Sequence, residues 1–162
     1  MRVIKLFLIS VIALFLLLTT IAALLPSEVR ISRAIDINRP AAEIYPQIAV
    51  LKNWEDWNRF IQTLEQKSWQ GESVSGKTLR ISVKQKTHQA IITEWKQPDG
   101  KTFIGGFNLI AHGSLTTVQW YFDFHFRWYP WEKFSSIVYD AQVGPSMQES
   151  LENLKAVIEN VR

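Results

Sequence analysis

The sequence has no cysteine, only three histidines and only seven glycines in 162 residues. Without cysteine there is no disulfide, no thiolate nucleophile and no cysteine-ligated metal site. The histidines, His88, His112 and His125, are not paired at ligand spacing on one element. No Gly-x-Ser-x-Gly, phosphate-binding glycine loop or His-Glu-x-x-His motif occurs. We therefore expect no metal, no cofactor and none of these kinds of active site.

The net positive charge is also small. The formal net charge is +3, and Arg2 and Lys5 at the amino terminus account for two of these charges. The basic residues after Arg30 are scattered among acidic ones. A nucleic-acid-binding surface needs concentrated positive charge, so we expect no nucleic-acid partner.

The longest apolar run lies near the amino terminus, where Leu6 to Leu25 contains no charge. A helix of this length, at about 1.5 Å per residue, crosses the roughly 30 Å hydrocarbon core of a bilayer. The sequence therefore predicts a transmembrane anchor in residues 1–26 and one domain in residues 27–162. Arg2 and Lys5 place the amino terminus in the cytoplasm and the domain on the outer side. A cleaved signal peptide ending near Thr20-Ile21-Ala22 is the alternative, and the uninterrupted length of the run favours the anchor.

The first part of the domain reads as one strand followed by short helices. Alternation predicts a strand over Val29 to Ile37. Pro40 is typical of a first helical turn, and we expect a short helix that tolerates Pro46. The segment Lys52 to Phe60 then spaces three rings three residues apart, which predicts one side of a helical turn; the rings are Trp54, Trp57 and Phe60.

After a predicted loop around Gln66, Trp69 and Gly71, turn residues separate four further strands. The turns Pro98-Asp99-Gly100 and His112-Gly113-Ser114 predict hairpins, and Gly105-Gly106 predicts a bulge or a bend. The first three strands are expected over Thr78 to Gln85, His88 to Lys96 and Thr102 to Ala111. The sequence thus predicts an antiparallel meander.

The fourth of these strands, Val118 to Trp128, dominates the sequence because it alternates large apolar with mostly polar side chains. One face carries Val118, Trp120, Phe122, Phe124, Phe126 and Trp128. Burying five aromatic side chains is worth roughly 10 kcal/mol before entropy is subtracted, so this face must be covered. The rings either pack a core or form the wall of an apolar cavity.

The C-terminal segment provides the cover. Residues 134–141 predict a short helix that Gly144-Pro145 interrupts, and a capping box beginning at Ser146 opens the last helix. Apolar residues recur there at steps of three and four, namely Met147, Leu151, Leu154, Ile158 and Val161.

The order of these elements resembles the SRPBCC superfamily, which has the START-like or helix-grip fold and includes polyketide cyclases and aromatase-like proteins. The small membrane-anchored bacterial members are most similar. The resemblance rests on Ile35, Ile37, Pro40, Ile44 and Ile48, Trp54-Glu55-Asp56-Trp57, Thr117-Val118-Gln119-Trp120, and Gly144-Pro145 ahead of Leu151-Glu152-Asn153-Leu154-Lys155.

The resemblance implies an α+β fold in which a curved antiparallel sheet grips the long C-terminal helix. It also implies an apolar cavity between them that holds lipids, sterols, polyketides or isoprenoid-like molecules, and a location on the outer side of a bacterial cytoplasmic membrane, periplasmic or extracellular. The candidate cavity residues are Trp54, Trp57, Phe60, Phe107, Trp120, Phe122, Phe124 and Leu151.

Three functions are consistent with this sequence. The preferred one is a non-enzymatic, membrane-anchored protein that binds a lipid or another apolar small molecule. The second is a polyketide cyclase-like enzyme in which Glu94 moves a proton. The third is a structural partner of another envelope protein, with Trp54, Trp57 and Trp131 forming an exposed adhesive patch.

Overall fold

The structure, a computed structural model, describes residues 2–160, with the side chains of residues 135–137 excepted. The predicted face residue Val161 lies outside the described residues. In chain order the elements are α1 (Arg2–Leu24), β1 (Glu28–Ile37), α2 (Ala41–Ala49), a 3₁₀ helix (Leu51–Glu55), α3 (Arg59–Gln62), β2 (Ser68–Gln70), β3 (Ser73–Ser75), β4 (Arg80–Lys86), β5 (Ala90–Lys96), β6 (Thr102–His112), β7 (Leu115–His125) and α4 (Pro130–Asn160).

The strands form one antiparallel sheet in the order β1-β7-β6-β5-β4-β3-β2. Both predicted hairpins are confirmed, and their turns contain Gly100 at φ +86° and Gly113 at φ +71°, backbone conformations that favour glycine. The strand β1 closes the order by pairing with β7, and α4 packs on β1 and on α2 and α3. The predicted α+β architecture, an antiparallel sheet with a long C-terminal helix, is confirmed.

The inward face of β7 forms the centre of the core. Val118, Trp120, Phe122 and Phe124 are buried, as the alternation predicts. The strand ends at His125, however, and Trp128 is 70% exposed, so its placement on this face was wrong. Periodicity could not reveal the end of the strand because the alternation of ring residues continues beyond the last paired residue.

Gly105 and Gly106 do not form the predicted bulge. Both pair in regular register with β5 and β7, and the register shift of the sheet lies between Val83 and Gln85. The glycines instead make room for rings. A methyl group on Gly105 would lie 2.7 Å from Nε1 of Trp95, and one on Gly106 would collide with the ring of Tyr121.

Two other strand predictions need correction. The predicted loop around Gln66 to Gly71 contains β2, which pairs with β3 and widens the sheet. Strands β4 and β5 begin two residues later than predicted, at Arg80 and Ala90. A turn precedes each of them: the backbone N–H of Gly76 donates to the carbonyl of Leu79 at 2.9 Å, and that of Thr87 donates to the carbonyl of Ala90 at 2.8 Å.

The C-terminal helix is continuous. It runs through Gly144 and Pro145 without interruption, and Ser146 accepts a hydrogen bond from Oγ of Ser150 at its backbone carbonyl instead of capping a new helix. Pro145 is exposed, and the buried residues Met147 and Leu151 follow it directly on the packed face. Packing of the second half of α4 therefore outweighs the hydrogen bond that the proline removes.

Replacing Pro145 with alanine is expected to raise the free energy of unfolding by about 1 kcal/mol, because alanine restores an N–H that can donate to the carbonyl of Ala141. Thermal unfolding followed by circular dichroism measures the change. Pro40→Ala is the matched control, since Pro40 precedes the first turn of α2 and blocks no helical hydrogen bond. A lower stability for Pro145→Ala would show that the proline geometry supports the packing of α4.

The amino-terminal helix α1 is long and apolar enough to cross a membrane, with a mean hydropathy of 2.7 in its most apolar window. Its end is fastened to the domain. Nζ of Lys133, a buried lysine in the first turn of α4, donates to the carbonyl of Leu25 at 2.7 Å and to Oγ of Ser27 at 2.8 Å. Ala22 is fully buried near this junction.

Candidate functional site

The predicted cavity residues come together as a densely packed ring cluster. Trp54, Trp57, Trp120 and Leu151 have no exposed surface, Phe107 and Phe122 are 1% exposed, and Phe60 is half-buried. The ring centroids of neighbouring members lie 4.9 to 6.3 Å apart, the spacing of stacked and edge-to-face aromatic pairs. The rings occupy the space between the sheet and the segment from α2 to α3.

Trp95 of β5 lies within this cluster, although it is not among the predicted cavity residues. Its ring contacts those of Trp54, Phe60 and Phe122 at centroid distances of 6.2, 5.5 and 4.9 Å. Alternation within the predicted strand places it on the same face as Thr93. The alternation of side chains along the predicted strand would therefore have been enough to place Trp95 on the buried face.

The indole N–H groups tie parts of the cluster to the backbone. Nε1 of Trp54 donates to the carbonyl of Ile48 at 2.8 Å, and Nε1 of Trp57 donates to the carbonyl of Gln47 at 3.2 Å. The buried Nε1 of Trp120 has no hydrogen-bond partner within residues 2–160. Trp54 and Trp57 thus have a structural role whether or not a ligand touches them.

An opening lies at one end of the sheet, where β6 and β7 separate. Their pairing stops at Ile104 and Asp123, although β7 continues to His125. Beyond this point a cavity of about 550 Å³ lies between the ends of the two strands and the first half of α4, a size within the range of small-molecule sites. We call it the β6–β7 cavity.

Four rings line the β6–β7 cavity. Phe124 contacts Phe103 at a centroid distance of 4.8 Å and Tyr139 at 4.9 Å, and Tyr139 contacts Phe126 at 5.1 Å. Phe124 and Phe126 are 7% exposed, whereas Phe103 and Tyr139 are half-buried. The arrangement gives an apolar wall that a hydrocarbon chain could contact along its length.

The rim of the cavity is polar. It includes the exposed side chains of Asp99, Lys101, His125 and Arg127. An aromatic wall with a charged rim suits a molecule with an apolar body and a polar end.

Of the eight predicted cavity residues, Phe124 alone lines the β6–β7 cavity, and the other seven lie in or beside the ring cluster behind it. Direct contact between those seven and a ligand stays a prediction. Three wall residues, Phe103, Phe126 and Tyr139, were not among the predicted cavity residues. Their types and elements were visible, but the point at which the β6–β7 pairing ends was not.

No group of three or more histidine, aspartate or glutamate residues within residues 2–160 is placed to hold a metal ion. The three histidines are exposed and lie at turns or strand ends, and Nδ1 of His125 lies 3.7 Å from a carboxylate oxygen of Glu28.

Glu94 does not reach the cavity. It lies between the buried residues Thr93 and Trp95 on β5, so its side chain is on the opposite face of the sheet, where its carboxylate pairs with Nζ of Lys84 at 3.0 Å. The hypothesis that Glu94 is the residue that moves a proton in this cavity is therefore wrong. Successive residues of a strand point to opposite faces of the sheet. The position of Glu94 in β5 therefore already places its side chain on the outward face.

Asp123 lies on the outward, mostly polar face of β7 that the alternation of the strand predicts, and it forms a two-point ion pair. Nε and an amino nitrogen of Arg30 donate to its carboxylate at 2.6 and 2.7 Å, and the guanidinium lies 4.1 Å from the centroid of the Tyr121 ring. The hydrogen bond to Asp123 raises the pKa of the Arg30 guanidinium above its ordinary value. This pair connects β1 to β7 beside the opening.

The family model described as polyketide cyclase / dehydrase and lipid transport matches residues 28–159 of the chain. No curated protein sequence matches this chain. Several solved structures have a similar fold. DynU16, a protein of the dynemicin biosynthetic locus, is 15% identical with a TM-score of 0.56, and the alignment covers 83% of this chain and 48% of DynU16.

The di-domain ARO/CYC protein BexL of the BE-7585A biosynthetic pathway is 12% identical with a TM-score of 0.61, covering 84% of this chain and 52% of BexL. CV1439 from Chromobacterium violaceum is 13% identical with a TM-score of 0.57, covering 83% of this chain and 99% of CV1439. The chain thus spans about half the length of DynU16 and BexL. At these identities the likeness shows the fold, which is the predicted one.

Proposed function

The chain belongs to the family of polyketide cyclases, dehydrases and lipid-transport proteins, and from this premise we propose that it is a non-enzymatic, membrane-anchored protein that binds a lipid or another apolar small molecule. The observation that carries the proposal is the β6–β7 cavity, whose wall consists of Phe103, Phe124, Phe126 and Tyr139.

The cavity favours an amphipathic ligand. Its buried rings gain from contact with an apolar body, because burying apolar surface is worth about 25 cal/mol per Å². A charged group placed among the same rings would lose its hydration without a partner. The exposed charges of Lys101 and Arg127 at the rim can meet a polar head that stays close to water.

The anchor is part of the proposal. Helix α1 would cross the cytoplasmic membrane with Arg2 and Lys5 on the inner side, so that the domain lies on the outer side. The connection between Leu24 and Glu28 keeps the domain at the membrane surface.

The other two functions have less support. A cyclase-like enzyme with Glu94 as its proton carrier would need that carboxylate at the cavity, and it faces the other way. An adhesive patch formed by Trp54, Trp57 and Trp131 would need all three exposed, and the first two are completely buried. Trp131 alone of the three is accessible, at 64%.

Photo-cross-linking tests the proposal. The full chain in lipid nanodiscs is irradiated with a diazirine-bearing fatty acid, and labelled peptides are mapped by mass spectrometry. We expect label on peptides that contain Phe124 or Tyr139. Label confined to α1, which lies in the bilayer regardless of any cavity, would overturn the proposal.

Tyr139→Glu is expected to lower cavity labelling about tenfold, because it places a carboxylate in the apolar wall. Ala141→Glu is the matched control: it adds the same charge at an exposed position of α4 and should leave labelling unchanged. Tyr139→Phe should retain labelling because it retains the ring. Equal labelling of Tyr139→Glu and Ala141→Glu would contradict a ligand at this wall.

A further inference from the structure

Three neighbouring rings form a strip that runs from the loop after β7 into the first turn of α4, with two exposed tryptophans on either side of a half-buried tyrosine. Trp128 is 70% exposed and Trp131 is 64% exposed, and Tyr129 lies between them with ring-centroid distances of 4.9 Å to each. We call these three residues the aromatic strip. The other five tryptophans are buried or half-buried, so this exposure is a local feature that the core does not explain.

The aromatic strip lies at the end of α1. On one side of it, the backbone N–H of Phe126 donates to the carbonyl of Ser27 at 2.8 Å. On the other side, Nζ of Lys133 donates to the carbonyl of Leu25 at 2.7 Å. Both flanks of the strip are therefore hydrogen-bonded to the residues that directly follow the last turn of α1.

The aromatic strip also borders the β6–β7 cavity. Phe126 and Arg127 precede it and Glu132 follows it, and all three line the cavity. The strip, the cavity opening and the end of α1 thus occupy the same end of the domain.

We propose that the aromatic strip lies in the headgroup region of the bilayer that holds α1, and that it turns the cavity opening toward the lipid so that the ligand enters from the bilayer. This inference rests on the proposed function, because it requires α1 to span the membrane. Tryptophan and tyrosine favour the membrane–water boundary, where the ring is apolar and its N–H or O–H stays hydrated. The span ends at Leu24, which places that boundary at the level of the strip.

A lipid surface fits this strip better than a soluble protein partner does. The strip is held at the end of a helix whose apolar side chains are exposed along most of its length, so a bilayer around α1 reaches the strip without any further component. Such helices bury their apolar surface in lipid. The rim residue Arg127 would then lie near lipid phosphates, which are partners that arginine binds well.

Tryptophan quenching tests the position of the strip. The full chain is placed in nanodiscs of phosphatidylcholine that carries bromine on the acyl carbons nearest the headgroup, and its emission is compared with that in unbrominated lipid. Residues 2–24 contain no tryptophan, so α1 contributes no signal. We expect brominated lipid to quench the wild type, and Trp128→Phe/Trp131→Phe to remove most of that quenching.

Trp69→Phe is the matched control, because Trp69 is half-buried on β2 at the opposite edge of the sheet from β1. It should leave the lipid-dependent quenching unchanged. Quenching that survives Trp128→Phe/Trp131→Phe, or that is absent from the wild type, would overturn the inference. Strong quenching of the same two tryptophans by water-soluble acrylamide in nanodiscs would also overturn it, since it would place them in water and leave them open to a soluble partner.

A second measurement tests the entry route. Trp128→Ser/Trp131→Ser should lower the rate of cavity labelling by the bilayer-embedded diazirine fatty acid about tenfold. An unchanged rate would overturn entry from the bilayer, whereas the labelled cavity would still support the proposed function. If the wild-type cavity takes no label, the proposed function fails, and the quenching result separately decides the position of the strip.

Discussion

Gly105→Ala is expected to lower the free energy of unfolding by about 3 kcal/mol, as overpacking of a dense core does. The added methyl group would lie 2.7 Å from Nε1 of Trp95 and 2.8 Å from the ring of Phe122, closer than a Cβ atom can approach. Both rings are almost completely buried, and Trp95 is further held by its hydrogen bond to Oγ1 of Thr93 at 2.8 Å. Neither ring can move without displacing its neighbours.

Gly106→Ala is the matched control for this prediction. It changes the next residue of the same strand, but its methyl group would meet the far end of the Tyr121 side chain, which is partly exposed on the outer face of the sheet. We expect a cost of less than about 1 kcal/mol. Urea unfolding of the full chain in detergent, followed by tryptophan fluorescence, measures both variants. If both variants lost the same free energy of unfolding, the two faces of the sheet would be equally rigid at these positions.

Trp54→Phe is expected to lower the free energy of unfolding by about 3 kcal/mol. The loss expected for Trp120→Phe is smaller than this by about 1 kcal/mol. Both changes remove the same atoms from a fully buried site and leave a similar cavity. They differ in hydrogen bonding. Trp54→Phe leaves the carbonyl of Ile48 without its indole donor, whereas Trp120→Phe removes a buried N–H that has no partner within the described residues. An unsatisfied buried polar group costs about 1 to 3 kcal/mol.

The same urea titration distinguishes the two tryptophan variants. A difference in unfolding free energy of at least about 1 kcal/mol in the expected direction supports the hydrogen-bond argument. A larger loss for Trp120→Phe would mean that the stacking of Trp120 on Phe107, at 4.9 Å and 19°, outweighs the desolvation of its N–H.

Much of the fold followed from local signals in the sequence. The alternation in β1 and β7 placed Ile31, Trp120 and Phe122 on buried faces because a strand exposes successive side chains to opposite sides. The turns at Gly100 and Gly113 were predictable because their backbone conformations favour glycine. Such signals depend on a few neighbouring residues only.

The errors arose where a distant contact decided the outcome. Pro145 predicted a break, but packing of Met147 and Leu151 in the core keeps α4 continuous. Gly105-Gly106 predicted a bulge or a bend, and no bulge forms there; Gly105 instead makes room for the rings of Trp95 and Phe122, which come from two neighbouring strands. Neither contact is visible in a short window of sequence.

In the candidate site, too, local sequence predicted some features and distant contacts decided the others. The aromatic strand was evident, and Phe124 was selected from it. The β6–β7 cavity, however, depends on where the pairing of two strands stops and on which residue of α4 faces that gap, namely Tyr139. Strand register is a property of the whole sheet, so the site could be predicted in composition but not in position.

The short connection between α1 and the sheet has a consequence for the ligand binding proposed above. Only Leu25, Pro26 and Ser27 separate the helix from β1, and two of these three residues accept hydrogen bonds from Lys133. Both hydrogen bonds tie this connection to the first turn of α4. With α1 in a bilayer, encounters would depend on lateral diffusion within one leaflet, and occupancy would follow the mole fraction of the ligand in that leaflet and not its concentration in water.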